Sequence, residues 1–309
     1  MRLLIALLTA TMFLTGCSGP QLLNTFTPSD GYNLASNLPF DPTTGLTLDV
    51  YTPAGAKNAP VVVFFFGGRW TEGDKLQYKF VGQALASRGI VAVIPNYRLY
   101  PSVRFPAFVE DGARAVKWAR ANIGAYGGDG GKLFAMGHSA GAQIAAMLAL
   151  NETYLKAVGG SRTWLKGMIG MAGPYNFLPI NDPELRDIFG PPEKFEQSQP
   201  IFFVDGQNPP LLLLHGENDE IVWVSNTRTL ANAVAAAGGP VETVIYPKMS
   251  HSLIVSSLGS VLRGSSDVIN HVDDFVRRMA VYTRPAANTP IDIQAVPLEL
   301  EIQTQPMPQ

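Results

Sequence analysis

Lys132-Leu133-Phe134-Ala135-Met136-Gly137-His138-Ser139-Ala140-Gly141-Ala142-Gln143-Ile144-Ala145-Ala146 passes from an apolar run, through a serine flanked by glycines, into an alanine-rich stretch. The run reads as a buried strand and the stretch after it as a helix. Between them, Gly-x-Ser-x-Gly demands a tight strand-to-helix turn in which the glycines relieve crowding and the serine hydroxyl stands clear of the sheet. A serine held that way is a candidate nucleophile, provided a base and an orienting acid can reach it.

Both partners are expected at strand ends further along the chain. Leu211 to Leu214 reads as a buried strand that delivers His215-Gly216-Glu217-Asn218-Asp219 into a polar loop, with Asp219 the expected acid. The strand pattern Glu242 to Tyr246 is stopped by Pro247 and followed by Lys248-Met249-Ser250-His251, which makes His251 the expected base. Ser139, Asp219 and His251 then occur in the Ser, acid, His order of an α/β-hydrolase. The competing assignments are Glu217 as acid, two residues from Asp219, and His215 as base. His215 reads better as a support for the acid loop. His138 reads as a structural neighbour inside the turn, and His271 as a surface or packing residue on a helix. Histidines and the single cysteine are nowhere clustered at ligand spacing, so neither a catalytic metal nor a cofactor is expected.

Acyl transfer also needs hydrogen-bond donors aimed at the developing oxyanion, and the amide of Ala140, just after the serine, is one. For the second, Val61 to Phe66 is a six-residue apolar strand that runs into Gly67-Gly68-Arg69-Trp70 and then Thr71-Glu72-Gly73-Asp74-Lys75. Two adjacent glycines allow that backbone to turn its amides inward. With Asn96-Tyr97-Arg98-Leu99 and Tyr126-Gly127-Gly128-Asp129 in between, the chain from about 45 to 280 resembles the α/β-hydrolase superfamily. Within it, the chain resembles the bacterial carboxylesterases of the hormone-sensitive-lipase-like and feruloyl-esterase-like branches. The resemblance implies an oxyanion hole formed by the amides of Gly68 or Arg69 together with Ala140. It also marks a departure, because Phe66 stands where that family usually has a histidine.

The chain has 309 residues, a formal net charge of −2 and no basic run, so nucleic acid is an unexpected partner. Arg2, the apolar run Leu3 to Leu14 and then Thr15-Gly16-Cys17 read as a secretory signal, residues 1–17, ending like a lipobox with Cys17 as the lipidation site. Residues 18–44, rich in Ser, Pro, Asn and Thr, read as a tether, 45–281 as the catalytic domain, and 282–309 as a disordered proline-containing tail. Inside the domain, seven apolar strand runs alternate with helical patterns, which predicts a mostly parallel central sheet with helices on both faces. Residues 173–210 break that rhythm and read as a small lid, with Tyr175, Phe177 and Phe189, beside Trp70, as candidate pocket residues.

These readings together predict a lipid-anchored serine esterase acting on short acyl or small aromatic esters outside the cytoplasm, in the outer membrane if the cell is diderm. The alternatives are an amidase of the kynurenine formamidase type and a catalytically lapsed surface-anchored binding protein.

Overall fold

The computed structural model describes residues 19–282. The expected signal segment with Cys17 lies outside the described residues, and so does the expected tail beyond Tyr282.

Eight strands form one sheet: β1 (Tyr32–Asp41), β2 (Leu46–Pro53), β3 (Ala59–Phe65), β4 (Val91–Pro95), β5 (Gly128–His138), β6 (Leu165–Met171), β7 (Leu211–Gly216) and β8 (Val241–Tyr246). Their spatial order is β1-β2-β4-β3-β5-β6-β7-β8. β1 and β2 run antiparallel at one edge, and every pairing from β4 to β8 is parallel. Central strands covered on both faces have no polar face to present, and Val61 to Phe66 and Leu133 to Met136 are accordingly buried throughout. The parallel strands carry their ends to one edge, where reactive residues gather in such folds.

Helices α1 (Gly19–Thr25), α2 (Lys79–Ala86), α3 (Ala107–Asn122), α4 (Ala140–Leu150), α5 (Glu152–Ala157), α6 (Pro183–Phe189), α7 (Ser225–Ala236), α8 (His251–Ser256) and α9 (Val268–Val281) cover the sheet. α4 is buried along its whole length, which explains its composition: alanine and glycine let a helix press closely on β5 and β6 while α3 packs against it. α9 keeps one apolar stripe, Val268, Val272, Phe275 and Val276, against the sheet and leaves its other side to water.

The expectation of a tether over 18–44 is corrected. Tyr32–Asp41 pairs with β2 from Tyr32↔Pro53 to Asp41↔Leu46, and α1 ahead of it buries Leu23. β1 hides from pattern reading because it is an edge strand with one neighbour, so few of its side chains need to be apolar. A register shift between Ala35 and Leu38, with Asn37 at φ 55°, also breaks its alternation. The region 173–210 likewise contains structure, with α6 followed by 3-10 turns at Pro192–Ser198 and Pro200–Phe203.

Candidate active site

Ser139 sits between the end of β5 and the start of α4 with φ 54° and ψ −122°, a backbone geometry that costs a non-glycine residue about 1–3 kcal/mol. The surroundings leave it little alternative. A Cβ on Gly137 would lie 2.1 Å from the carbonyl oxygen of Gly141, and one on Gly141 would lie 2.0 Å from that of Phe65. The two motif glycines are therefore required by the contact between this turn, α4 and the end of β3, and the Ser139 amide is tied to the Met171 carbonyl at 2.9 Å.

His251 opens α8 just beyond β8, and its Nε2 lies 2.9 Å from Ser139 Oγ. Its Nδ1 lies 2.8 Å from Asp219 Oδ2. A carboxylate only accepts, so Nδ1 carries the proton and Nε2 offers its lone pair to the serine hydroxyl. Asp219 is held from several sides. Its Oδ1 accepts from the amides of Ile221 and Val222, both at 2.9 Å, and its Oδ2 also lies 3.1 Å from His215 Nε2. Burial alone would raise the Asp219 carboxyl, but the hydrogen bonds from His215, His251 and Val222 outweigh it and hold the group well below the usual carboxylate range.

The competing assignments separate cleanly. Glu217 is half exposed and pairs with Arg228 at 2.7 Å, away from the histidine. His215 is fully buried between Thr227 Oγ1 (2.7 Å) and the Val222 carbonyl (2.8 Å), which braces the acid loop, as its place at the end of β7 suggests. His271 hydrogen-bonds Tyr246 Oη at 2.9 Å on α9. His138 Nε2 donates to the main-chain carbonyl of His251 at 2.9 Å, with the two rings 4.8 Å apart. Burial, then the neighbouring His251, pushes the His138 imidazole down to about 3, so it stays neutral and fastens the base by its backbone.

The loop after β3 turns on successive positive φ values: Gly68 at 128°, Arg69 at 52° and Trp70 at 63°. It reaches the serine turn closely enough that a Cβ on Gly67 would lie 3.1 Å from Ser139 Cβ. Ala140 is the first residue of α4, where an amide has no acceptor within the helix. Two positive-φ side chains after a glycine are unfavourable in isolation, and partners far away in sequence compensate. Phe66 stacks between Tyr97 (4.4 Å) and Tyr78 (5.6 Å), and Tyr97 Oη donates to the Phe66 carbonyl at 2.8 Å. Asn96 accepts from the Lys75 amide at 2.7 Å and donates to Asp74 at 2.8 Å. Lys75 is itself buried in an ion pair with Asp49 on β2 at 2.7 Å, and its ammonium also reaches Asn37 of the β1 bulge. Sequence reading noted Asn96-Tyr97-Arg98 without a role for it, and missed Asp49 and Asn37. No sequence pattern marks these two as partners, because the burial that obliges Lys75 to find a charged partner arises only in the folded chain.

The inserted segment docks on the same loop. Trp70 meets Phe189 edge-on at 4.8 Å and Phe177 at 6.0 Å. Arg69 pairs with Asp182 and Glu184, and Arg104 with Asp187 at 2.7 Å. Of the candidate pocket residues, Trp70, Phe177 and Phe189 thus form one cluster. Tyr175 does not line a pocket with them: it is fully buried in the space left by Gly170 and Gly173, which corrects its expected role. Proline-rich sequence conceals which aromatics face inward, because no period orders them.

The BD-FAE family model matches residues 48–234. The chain is 31% identical to an isoprenylcysteine alpha-carbonyl methylesterase, ICME, of Arabidopsis thaliana, over 74% of this chain and 58% of that one. It is 32% identical to esterase LipC of Mycobacterium tuberculosis, over 58% of this chain and 49% of that one, so it spans about half to three-fifths of these relatives. A hyperthermophilic esterase from the archaeon Pyrobaculum calidifontis shares the fold with a TM-score of 0.71 at 24% identity, over 85% of this chain and 90% of that one. With the model matched over more than half its length, from β2 through most of α7, the chain belongs to the BD-FAE family.

Proposed function

We propose that this protein is a serine carboxylic-ester hydrolase for short-chain acyl or small aromatic esters. The observation that carries the reading is the unbroken relay Ser139 Oγ, His251 Nε2, His251 Nδ1, Asp219 Oδ2, with contacts of 2.9 and 2.8 Å. Ser139 Oγ attacks the ester carbonyl carbon as its proton passes to His251 Nε2. Asp219 remains a carboxylate and stabilises the imidazolium. The oxyanion is met by the amides of Ala140 and of Gly68 or Arg69. As the C–O bond breaks, His251 gives its proton to the departing alcohol. A water deprotonated by the same histidine then attacks the acyl-enzyme, and the acid leaves as Ser139 recovers its proton. The esterase names of the relatives support the reading. The cluster of Trp70, Phe177 and Phe189 beside the loop supports a small apolar acyl or alcohol group.

A panel of nitrophenyl esters from two to twelve carbons, run beside N-formylkynurenine, tests this. The expected result is hydrolysis of the short esters, with Ser139→Ala and His251→Ala each losing roughly 10⁴–10⁶ in kcat. Turnover of the formamide alone would replace the ester reading by the amidase one.

For location, the lipobox-like Leu14-Thr15-Gly16-Cys17 supports a mature chain beginning at a lipidated Cys17 and anchored at the cell envelope, with the catalytic domain outside the cytoplasm. Serine at position 18 supports the outer membrane in a diderm host.

A further inference from the structure

We infer that the face built around α1 rests on the bilayer, so that this hydrolase lies flush with its membrane instead of hanging from it. The inference depends on the anchor reading above and goes beyond it. A lipidated Cys17 is two residues from Gly19, where α1 begins, and five from Leu22. Fully extended, five residues span at most about 18 Å, so the acyl chains and Leu22 must lie close together. No slack follows, because α1 and β1 are packed onto the domain.

The surface offered there is apolar. Leu22 and Phe26 are one helical repeat apart and 55% and 59% exposed, while Leu76 and Val261 are 64% and 62% exposed. All four sit on segments joined to α1 or its end. Asn24 Nδ2 donates to the Leu76 carbonyl at 2.7 Å, Asn24 Oδ1 accepts from the Phe80 amide at 3.1 Å, and Ser260 Oγ donates to the Phe26 carbonyl at 2.9 Å. Large exposed apolar side chains on segments that meet around one short helix mark a contact surface. Interfacial helices bury such a face among headgroups at depths of roughly 5–10 Å. The placement also concerns catalysis: α1 packs on α8, whose first residue is His251, and on the turn Lys75–Tyr78 that ends the loop after β3. Substrate esters would then be met at or near the bilayer surface.

Cys17 is the only cysteine, so once it is acylated an introduced cysteine is the single free thiol for a spin label. The full chain purified from membranes is placed in phosphatidylcholine vesicles carrying Leu22→Cys, Phe26→Cys, Leu76→Cys or Val261→Cys. Lys156→Cys serves as control, on α5, which packs against α3 and α4. Intact mass reports acylation of Cys17, and hydrolysis of a soluble ester reports the fold. The expected result is that oxygen collides with the four labels in preference to a water-soluble nickel chelate, while the control label shows the reverse. Leu22→Glu with Phe26→Glu should return the labels at 76 and 261 to water while the protein stays on the vesicles. Aqueous labels at all four sites on an acylated, active protein would overturn the orientation and leave the anchor standing. Spin–spin coupling between copies at these sites would overturn it in favour of a second copy on this face. A mass lacking lipid on Cys17 would overturn the anchor, and the orientation with it.

Discussion

The turn at Ser139 and the loop from Gly67 to Lys75 touch each other, yet they are specified in opposite ways. The turn is local: five residues, two of them glycines that nothing larger can replace, fix its path against β3 and α4. The loop is specified from outside, by Asn96 and Tyr97 after β4, Asp49 on β2, Asn37 in the β1 bulge and Asp182 and Glu184 at the start of α6. A short motif therefore sufficed to find the nucleophile. The oxyanion loop depends on residues scattered over more than a hundred positions, and its supports became visible only in three dimensions.

The sharpest way to break this contrast is Gly141→Ala. Its Cβ would lie 2.0 Å from a backbone oxygen, so the variant should lose at least about 4 kcal/mol or fail to fold, as judged by urea unfolding. A stable, active variant would show that the turn is not fixed by contact.

Next come the distant supports of the loop. Phe66→Ala should cost about 3–5 kcal/mol and lower kcat at the same time, with Phe66→His tolerated better. Lys75→Met leaves the Asp49 carboxylate buried with the Asn37 amide but no charged partner and should cost about 3–5 kcal/mol, whereas Lys75→Met with Asp49→Leu should recover most of the stability. If both single variants keep wild-type kcat, the loop is held by something other than these residues.

A smaller effect distinguishes His138, which fastens the base and belongs to neither region alone. Its folded pKa lies near 3 and its ordinary value near 6.5, so between those limits the unfolded chain binds the extra proton. Stability should therefore fall as pH drops below about 6.5, by up to about 1.4 kcal/mol per unit, or about 2 kcal/mol at pH 5. The Asp219 carboxyl is also lowered in the folded protein, so it shifts stability in the same direction but only in more acidic solutions. His138→Gln should flatten the slope between pH 6.5 and 5; equal slopes in the two proteins would refute this assignment.

The smallest effect is expected at the rim. Arg69 and its partners Asp182 and Glu184 are about half exposed, so Arg69→Ala should change stability by less than about 1 kcal/mol. A larger loss would mean that the inserted segment is clamped chiefly by charge, and not by Trp70, Phe177 and Phe189.

The same contrast governs how much was legible in the sequence. Strands β2 to β8, helices α2, α3, α4, α7 and α9 and the positions of Ser139, Asp219 and His251 follow from apolar period and from punctuation by glycine and proline. β1 escaped because an edge strand with a bulge carries no clean alternation, and α1 and α8 because six or seven residues are too few to display a helical period. Tyr175 was assigned to the pocket because aromatic identity says nothing about direction. Two glycines beside it open the space that it fills.

Fluorophosphonate labelling, followed by peptide mass spectrometry on wild type and Asn96→Ala, tests the account most directly. The probe needs an activated serine and places its phosphonyl oxygen where the ester oxyanion would lie. The account predicts a single adduct on Ser139 in both proteins, formed roughly 10–100-fold more slowly in Asn96→Ala, whose loop has lost its tie to Asp74 and Lys75. A folded wild-type protein with no adduct, or with an adduct on another serine, would contradict it.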